Sequence, residues 1–342
     1  MGKKVTMKDI AGRLDISTNA VSLALNDKAG ISKDLQIKIL STANEMGYIG
    51  KKTKYMRTLI RSNLCVMMQN MYADDLSFYG KVLYSIMEEA RKNGFDARLN
   101  FFYDDDFSVP HFLLERRVAG VIVIGKILDV NLLKLLGCNL PVVMVDHASL
   151  SISSNSIVSD NKLGGFIATK YLIDKGYGKI GFFGDLDYSL SIKERFFGFS
   201  EAISKLGGVK GDIYSYIMQY SFTKNIEMAV LHRENQKIVD LLRDSQRLPD
   251  AFVCSNDKAA ISLLTALQSI GYNIPQDISI IGFDNIDMCE RIIPHLTTVD
   301  VNKENMAKLA VKKIKHLIEH PDSIQETTMM SVRLVERDSV RQ

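Results

Sequence analysis

VTMKDIAGRLDISTNAVSLALNDKAGISKDLQIKILSTANEMGY, residues 5–48, carries the start signals of three helices in close succession. Thr6 to Asp9 reads as an N-capping box, and Ile10, Ala11 and Leu14 then share one face. A tight turn through Asp15 and Ile16 leads to Ser17, which can cap a second helix whose Val21, Ala24 and Leu25 face inward. Ser32 opens a third, longer helix with Leu35, Ile39, Leu40, Ala43 and Met46 at helical spacing, closed by Gly47. The small Ala11 lets the first two helices approach closely, as a helix-turn-helix requires. Thr18, Asn19, Ser22 and Leu23 are then left facing outward, and Thr6, Ser17 and Asn26 complete the expected DNA-facing set. Asn19 can pair with an adenine edge in the major groove, and Thr18 can meet a thymine methyl or a phosphate.

Charge supports a polyanionic partner for this head. Residues 1–62 hold 12 Lys/Arg against five Asp/Glu, a net of +7, whereas the other 280 residues hold 31 basic and 35 acidic side chains. From Asn63 the pattern changes. NLCVMM, ARLNFF, AGVIVIG and PVVMVD are strand-length apolar runs, and KIGFFGD, DIYSYIM, DAFVCSN and ISIIGFDN form a second set. Continuous apolar strands among amphipathic helices predict parallel sheets covered on both faces, and two sets predict two lobes. Ligands of such sheets sit beyond the carboxyl ends of the strands, here in a cleft between the lobes. The longest apolar runs fall far short of a membrane span, and MGKKVTMKDI has no apolar secretory core, so a cytoplasmic protein with no membrane partner is expected. Cys65, Cys138, Cys254 and Cys289 are widely separated and read as reduced thiols, with disulfides as the alternative.

Residues 5–48 resemble the head of the lactose-repressor (LacI/GalR) family, whose pattern runs VT-x-x-D-[VI]-A, then [VI]-S-x-x-x-VS-x-x-LN, then [VI]-S and a helix ending in LGY. Two departures stand out. The family usually has Arg after the VS of the second helix, and Leu23 stands there, removing a bidentate guanine contact worth roughly 1–3 kcal/mol of discrimination. Relatives continue with a Pro and end a hinge helix on a Leu that wedges into the minor groove, whereas this chain reads GYIGKKTKYMRTLIRSN. Counting back from the core places Met56 at the wedge, and counting forward from Tyr48 places Arg57 there; Met56 is preferred to Leu59 or to no wedge. Lys51, Lys52, Lys54, Arg57 and Arg61 would face phosphates, and a plain flexible linker is the bland alternative.

The resemblance runs on through FYGKVLYSIMEEARKNG, VSDNKLGGFIATKYLIDKGYGKIGFFGD, ERFFGFSEAI, and SNDKAAISLLTALQSIGYNIPQDISIIGFDNI with PHLTTVDVN. It implies an α/β chain: a small all-α helix-turn-helix head plus a two-lobed periplasmic-binding-protein-like core of two doubly wound parallel sheets. Expected bounds are 1–50 for the head, 51–62 for the hinge, 63–160 with 293–323 for the first lobe, and 161–292 with 324–342 for the second. Carried over by position, Arg195 and Asp257 would bind effector hydroxyls or a charged group, with Asp160, Asn256 and Asp284 adding acceptors or positioning the lobes. Phe78, Tyr79, Phe222 and Phe283 would supply apolar or stacking faces, and Ser77, Lys126 and His147 stand at strand ends beside them. Bland alternatives stay open: core packing for the aromatics, a surface helix position for Arg195, an N-cap for Asp257.

No cofactor, metal or catalytic group is expected. His316-Leu317-Ile318-Glu319-His320 matches HxxEH in form but lies at a helix end before Pro321, and no GxGxxG or GxSxG occurs. A transport solute-binding protein shares the lobed fold but would not need a basic, capped head, and an α/β enzyme would need a catalytic constellation. The expectation is therefore a dimeric regulator on a pseudo-palindromic operator, controlled by a small molecule. A sugar suits carboxylates, one Arg and aromatic walls; a purine or phosphorylated metabolite stays open.

Overall fold

The apolar runs after residue 62 form two parallel sheets, as strands buried on both faces require. The computed structural model describes residues 5–26, 28, 30–46, 48, 62–209, 211–245 and 247–341. The head holds α1 (Met7–Leu14), α2 (Thr18–Leu25) and α3 (Lys33–Glu45). Thr6 and Asp9 make a reciprocal capping box, the Asp9 carboxylate accepting from Thr6 N at 2.7 Å and the Thr6 hydroxyl from Asp9 N at 3.4 Å. Ser17 Oγ accepts from Ala20 N at 3.1 Å and Ser32 Oγ from Leu35 N at 3.2 Å. Ile10, Ala11, Val21, Ala24, Leu25, Ile39, Leu40 and Ala43 close the small core between them. Gly47 and the hinge with Met56, Arg57, Leu59 and its lysines lie outside the described residues.

The first lobe runs β1 (Asn63–Gln69), α4 (Tyr79–Lys92), β2 (Asp96–Phe102), α5 (His111–Leu114), β3 (Gly120–Ile124), α6 (Asp129–Leu136), β4 (Val142–Val145) and β5 (Asn155–Ser159). The second runs α7 (Asn161–Asp174), β6 (Ile180–Phe183), α8 (Leu190–Leu206), α9 (Ile213–Tyr220), α10 (Glu227–Leu231), α11 (Asn235–Arg243), β7 (Ala251–Cys254), α12 (Asp257–Ser269), β8 (Ser279–Asp284) and β9 (Thr297–Asp300). The chain then returns: α13 (Lys303–Glu319) packs on α4 and over β3, β4 and β5, and β10 (Thr327–Met330) joins the first sheet. β11 (Arg333–Val335) goes back to the second. The sheet orders are β10-β5-β4-β3-β1-β2 and β11-β9-β8-β7-β6, every pair parallel except β11 with β9.

Three expectations need correcting. DIYSYIM is helical: Asp212 accepts from Tyr214 N at 3.1 Å, and Ile213, Ile217 and Tyr220 then fall on one turn-spaced face. The chain crosses between sheets after Ser159, after Asp300 and after Met330, so the second and third crossings fall later than 293 and 323. The buried TTV of 297–299 pairs with β8 before the chain leaves the second lobe. Of TTMMSVRLV, Thr327–Met330 joins the first sheet and Arg333–Val335 the second.

All four cysteines are free, with Cys65, Cys254 and Cys289 buried. Among the described residues no helix is long and apolar enough to cross a membrane, and no three metal-ligating side chains converge. The rings of His316 and His320 stack on one another with centroids 4.6 Å apart.

Candidate functional site

The cleft is built around the buried guanidinium of Arg195. Arg195, on α8 and 5% exposed, owes its position to glycine. A Cβ on Gly165 would lie 2.0 Å from the Arg195 carbonyl oxygen, and one on Gly198 would lie 1.9 Å from the Lys162 oxygen, so α7 and α8 touch backbone to backbone. That contact brings Arg195 Nε within 2.9 Å of Asn161 Oδ1, at the first residue of α7. Its Nη1 donates to the Ser255 carbonyl at 2.5 Å, its Nη2 lies 3.3 Å from Asp284 Oδ1, and its guanidinium stacks 3.7 Å from the Phe283 ring centroid. Gly164 makes room for that ring, since a Cβ there would sit 2.4 Å from Phe283 Cε2.

The first lobe answers with acid and aromatic groups. Asp146 follows β4 with φ of 61°, and its Oδ2 accepts from Tyr79 Oη at 3.0 Å. Tyr79 stacks on Tyr72 at 4.1 Å and meets Phe78 edge-on at 5.0 Å. Burial pushes the Asp146 carboxyl up to about 7 against the opposing pull of Arg195, with Asp284 and Glu194 adding to the rise. Burial also raises Asp284 and Glu194, each partly offset by Arg195. Asp284 thus pairs with the guanidinium, while Asp146 from the first lobe and Glu194 from the second lie within its electrostatic reach. The lobes also meet through Lys258 and Asp75 at 2.9 Å, through Lys81 and Asp287, and through Lys126 Nζ donating to the Tyr188 carbonyl at 3.5 Å.

Tyr79, Arg195, Phe283 and Asp284 therefore come together, and other expected residues stand apart from them or do other work. Asp257 differs from expectation. It is fully buried, its carboxylate accepts from Thr298 Oγ1 at 2.5 Å and Ile286 N at 2.9 Å, and it rests against Gly282, where a Cβ would overlap it. The cap of α12 is Asn256, which accepts from Ala259 N at 2.9 Å. Asp160 likewise caps α7 through Leu163 N. Phe283 is fully buried and supports Arg195 from beneath, and Phe222 packs against Phe183 and Phe252. Ser77 Oγ donates to Asp75 at 2.7 Å. His147 is partly buried, and burial, then Lys126, lowers its pKa. Glu194, Tyr72 and Lys303 were not singled out from sequence. Glu194 alone had a signal, as the neighbour of Arg195.

In the head, Thr18, Asn19 and Asn26 are exposed and Ser22 and Leu23 partly so, along one face of α2. Asn26 Nδ2 donates to the Ser22 carbonyl at 2.8 Å, so part of its capacity serves the helix end. Thr6 and Ser17 remain exposed while capping α1 and α2.

Residues 169–340 match the periplasmic binding protein-like domain family. The chain is 27% identical to the HTH-type transcriptional repressor PurR of Vibrio vulnificus (strain CMCP6), and 28% identical to PurR of Vibrio atlanticus (strain LGP32), over 98% of each chain. In structure it is similar to the lac repressor dimer bound to operator and the anti-inducer ONPF, with a TM-score of 0.70, 20% identity, and coverage of 98% of this chain and 99% of that one. It is also similar to a LacI-type regulator from Alkaliphilus metalliredigens QYMF complexed with D-xylulofuranose, with a TM-score of 0.65, 25% identity, and coverage of 82% and 100%.

Proposed function

This chain belongs to the lactose-repressor (LacI/GalR) family of DNA-binding transcriptional repressors, and on that footing we propose that a sugar or sugar derivative bound between its lobes controls its affinity for operator DNA. One observation carries the reading: a buried guanidinium, stacked on an aromatic ring, paired with Asp284 of its own lobe and within electrostatic reach of Asp146 of the other. Vicinal hydroxyls both donate and accept, so a polyol can satisfy Asp146, Asp284 and Arg195 together as the lobes close on it. The solved structure named with D-xylulofuranose, and the transcriptional regulator CelR named as its cellobiose complex, are consistent with that class of ligand.

The protein acts as a homodimer on a pseudo-palindromic operator, because one small head offers too little surface for tight specific binding. The outer face of α4 is one candidate pairing surface: Tyr84 there is 69% exposed. Effector binding changes the lobe angle and hence the spacing of the two heads, by differential affinity for two states.

A thermal-shift screen of the full chain against sugars, sugar phosphates, nucleosides and purines tests the effector class. A ligand at 100 times its Kd adds about 2.7 kcal/mol to folded-state stability. A shift confined to sugars and lost in Arg195→Ala supports the proposal. A shift confined to nucleosides or purines overturns the sugar assignment and keeps the cleft.

A further inference from the structure

Lys303, the first residue of α13, is 8% exposed, yet among the described residues no carboxylate pairs with its ammonium. Its Nζ donates instead to three main-chain carbonyls: those of Asp284, of Asn285 at 3.3 Å and of Val301 at 3.4 Å. It also lies 5.6 Å from the centroid of the Phe78 ring. Burying an ammonium costs several kcal/mol unless its donors are used, so this cage of carbonyls has to do more than fill space.

Position shows what the cage holds. Lys303 starts a helix of the first lobe, whereas two of its acceptors belong to the second, Asp284 as the last residue of β8 and Asn285 as the residue after it. Asp284 has φ of 111° and Asn285 φ of 51°, a left-handed path that favours glycine. That path turns the Asp284 side chain toward Arg195. Asp284 Oδ1 is buried and, despite its ion pair, has no aligned hydrogen bond among the described residues, so its position depends on the backbone beneath it.

We propose that Lys303 is a positioning residue for the cleft: by gripping the carbonyls of Asp284 and Asn285 it fixes where the Asp284 carboxylate stands opposite Arg195. The acceptor offered to an effector is then set by a side chain behind the site, at the crossing where the lobes hinge. The charges felt by Asp284 are Arg195, Lys303 and Lys258, which favour its ionised form, and Asp75, Asp146 and Asp257, which oppose it. Loss of Lys303 removes one cation and, on this inference, lets the carboxylate drift from a second.

The test is a carboxyl-carbon NMR titration of the full chain labelled at aspartate Cγ, with Asp284→Asn identifying the resonance. In Lys303→Met the Asp284 midpoint should rise by about one pH unit or more, while Asp212, at the start of α9, stays put. Lys303→Arg, which keeps the charge and donors, should recover most of the difference. A role limited to stability would lower the melting temperature and leave the Asp284 midpoint where it was, and that result overturns the proposal. Should Lys303→Met not fold, Lys303→Gln is titrated with the same two outcomes. The inference rests on the effector reading for its meaning, but the titration uses no effector. Failure to find a ligand and failure of Lys303 to move Asp284 are therefore separate results.

Discussion

Replacing Asp146 by asparagine should flatten part of the pH dependence of stability. The Asp146 carboxyl is pushed up to about 7 by burial, whereas an aspartate in the unfolded chain titrates near 3.9. Between those values the native protein holds a proton that the unfolded chain has released. Stability must therefore fall as pH rises through about 4 to 7, and level off above the folded value. About three pH units at roughly 1.4 kcal/mol each set a ceiling of about 4 kcal/mol. Asp146 keeps some exposure, and water reaching it trims the effect to about 2 kcal/mol between pH 5 and pH 8. Glu227 and Asp257 are raised by burial too and share the sign, so the wild type should lose more than Asp146 alone accounts for. Asparagine still accepts from Tyr79 Oη but carries no proton to lose. Urea unfolding of both chains at pH 5, 6, 7 and 8 gives the measurement, and the difference between the two pH slopes isolates Asp146. Parallel slopes would mean that the carboxyl is ionised in the folded protein at pH 5, and the account of the cleft electrostatics would fail.

Three further outcomes follow from other parts of the molecule. Gly165→Ala puts a methyl 2.0 Å from the Arg195 oxygen and should cost at least about 1–3 kcal/mol in urea unfolding; an unchanged midpoint would contradict the backbone contact of α7 and α8. Leu23→Arg should add a guanine preference at one operator position, roughly 1–3 kcal/mol of discrimination, visible by comparing oligonucleotides selected by the two proteins. Identical selected sequences would remove Leu23 from the reading face. Thr6→Ala should cost about 1 kcal/mol at the start of α1, read as faster amide exchange over residues 7–10.

The head was the most legible part of the chain. Caps at Thr6, Ser17 and Ser32 are local signals, set by residues within one turn, and each makes the hydrogen bond its position suggested. The sheets were legible because their strands are apolar on both faces, a pattern that survives without neighbours in view. DIYSYIM misled because tyrosine and isoleucine favour strands as well, and only the Asp212 cap and the i, i+4 spacing of Ile213 and Ile217 separate the two readings. The cleft was half legible. Arg195 and Asp284 could be placed by position, but nothing in the sequence tells that Asp257 is spent on Thr298 and Ile286, contacts 41 and 29 residues away. Lys303 was invisible for a related reason: its partners are carbonyl oxygens, and a carbonyl leaves no mark on a sequence.

The segment from Thr327 to Val335 forms the outer edge strand of both sheets, β10 on one and β11 on the other. These strands emerge from the ribosome after all nine of the others in the described residues, so during synthesis each lobe waits with an open edge for the same short piece of chain. Neither lobe can finish early, and the two finish together. A nascent chain arrested before residue 327 would leave β5 and β9 without their outer neighbours at once, so both sheets stay one strand short until the same nine residues arrive.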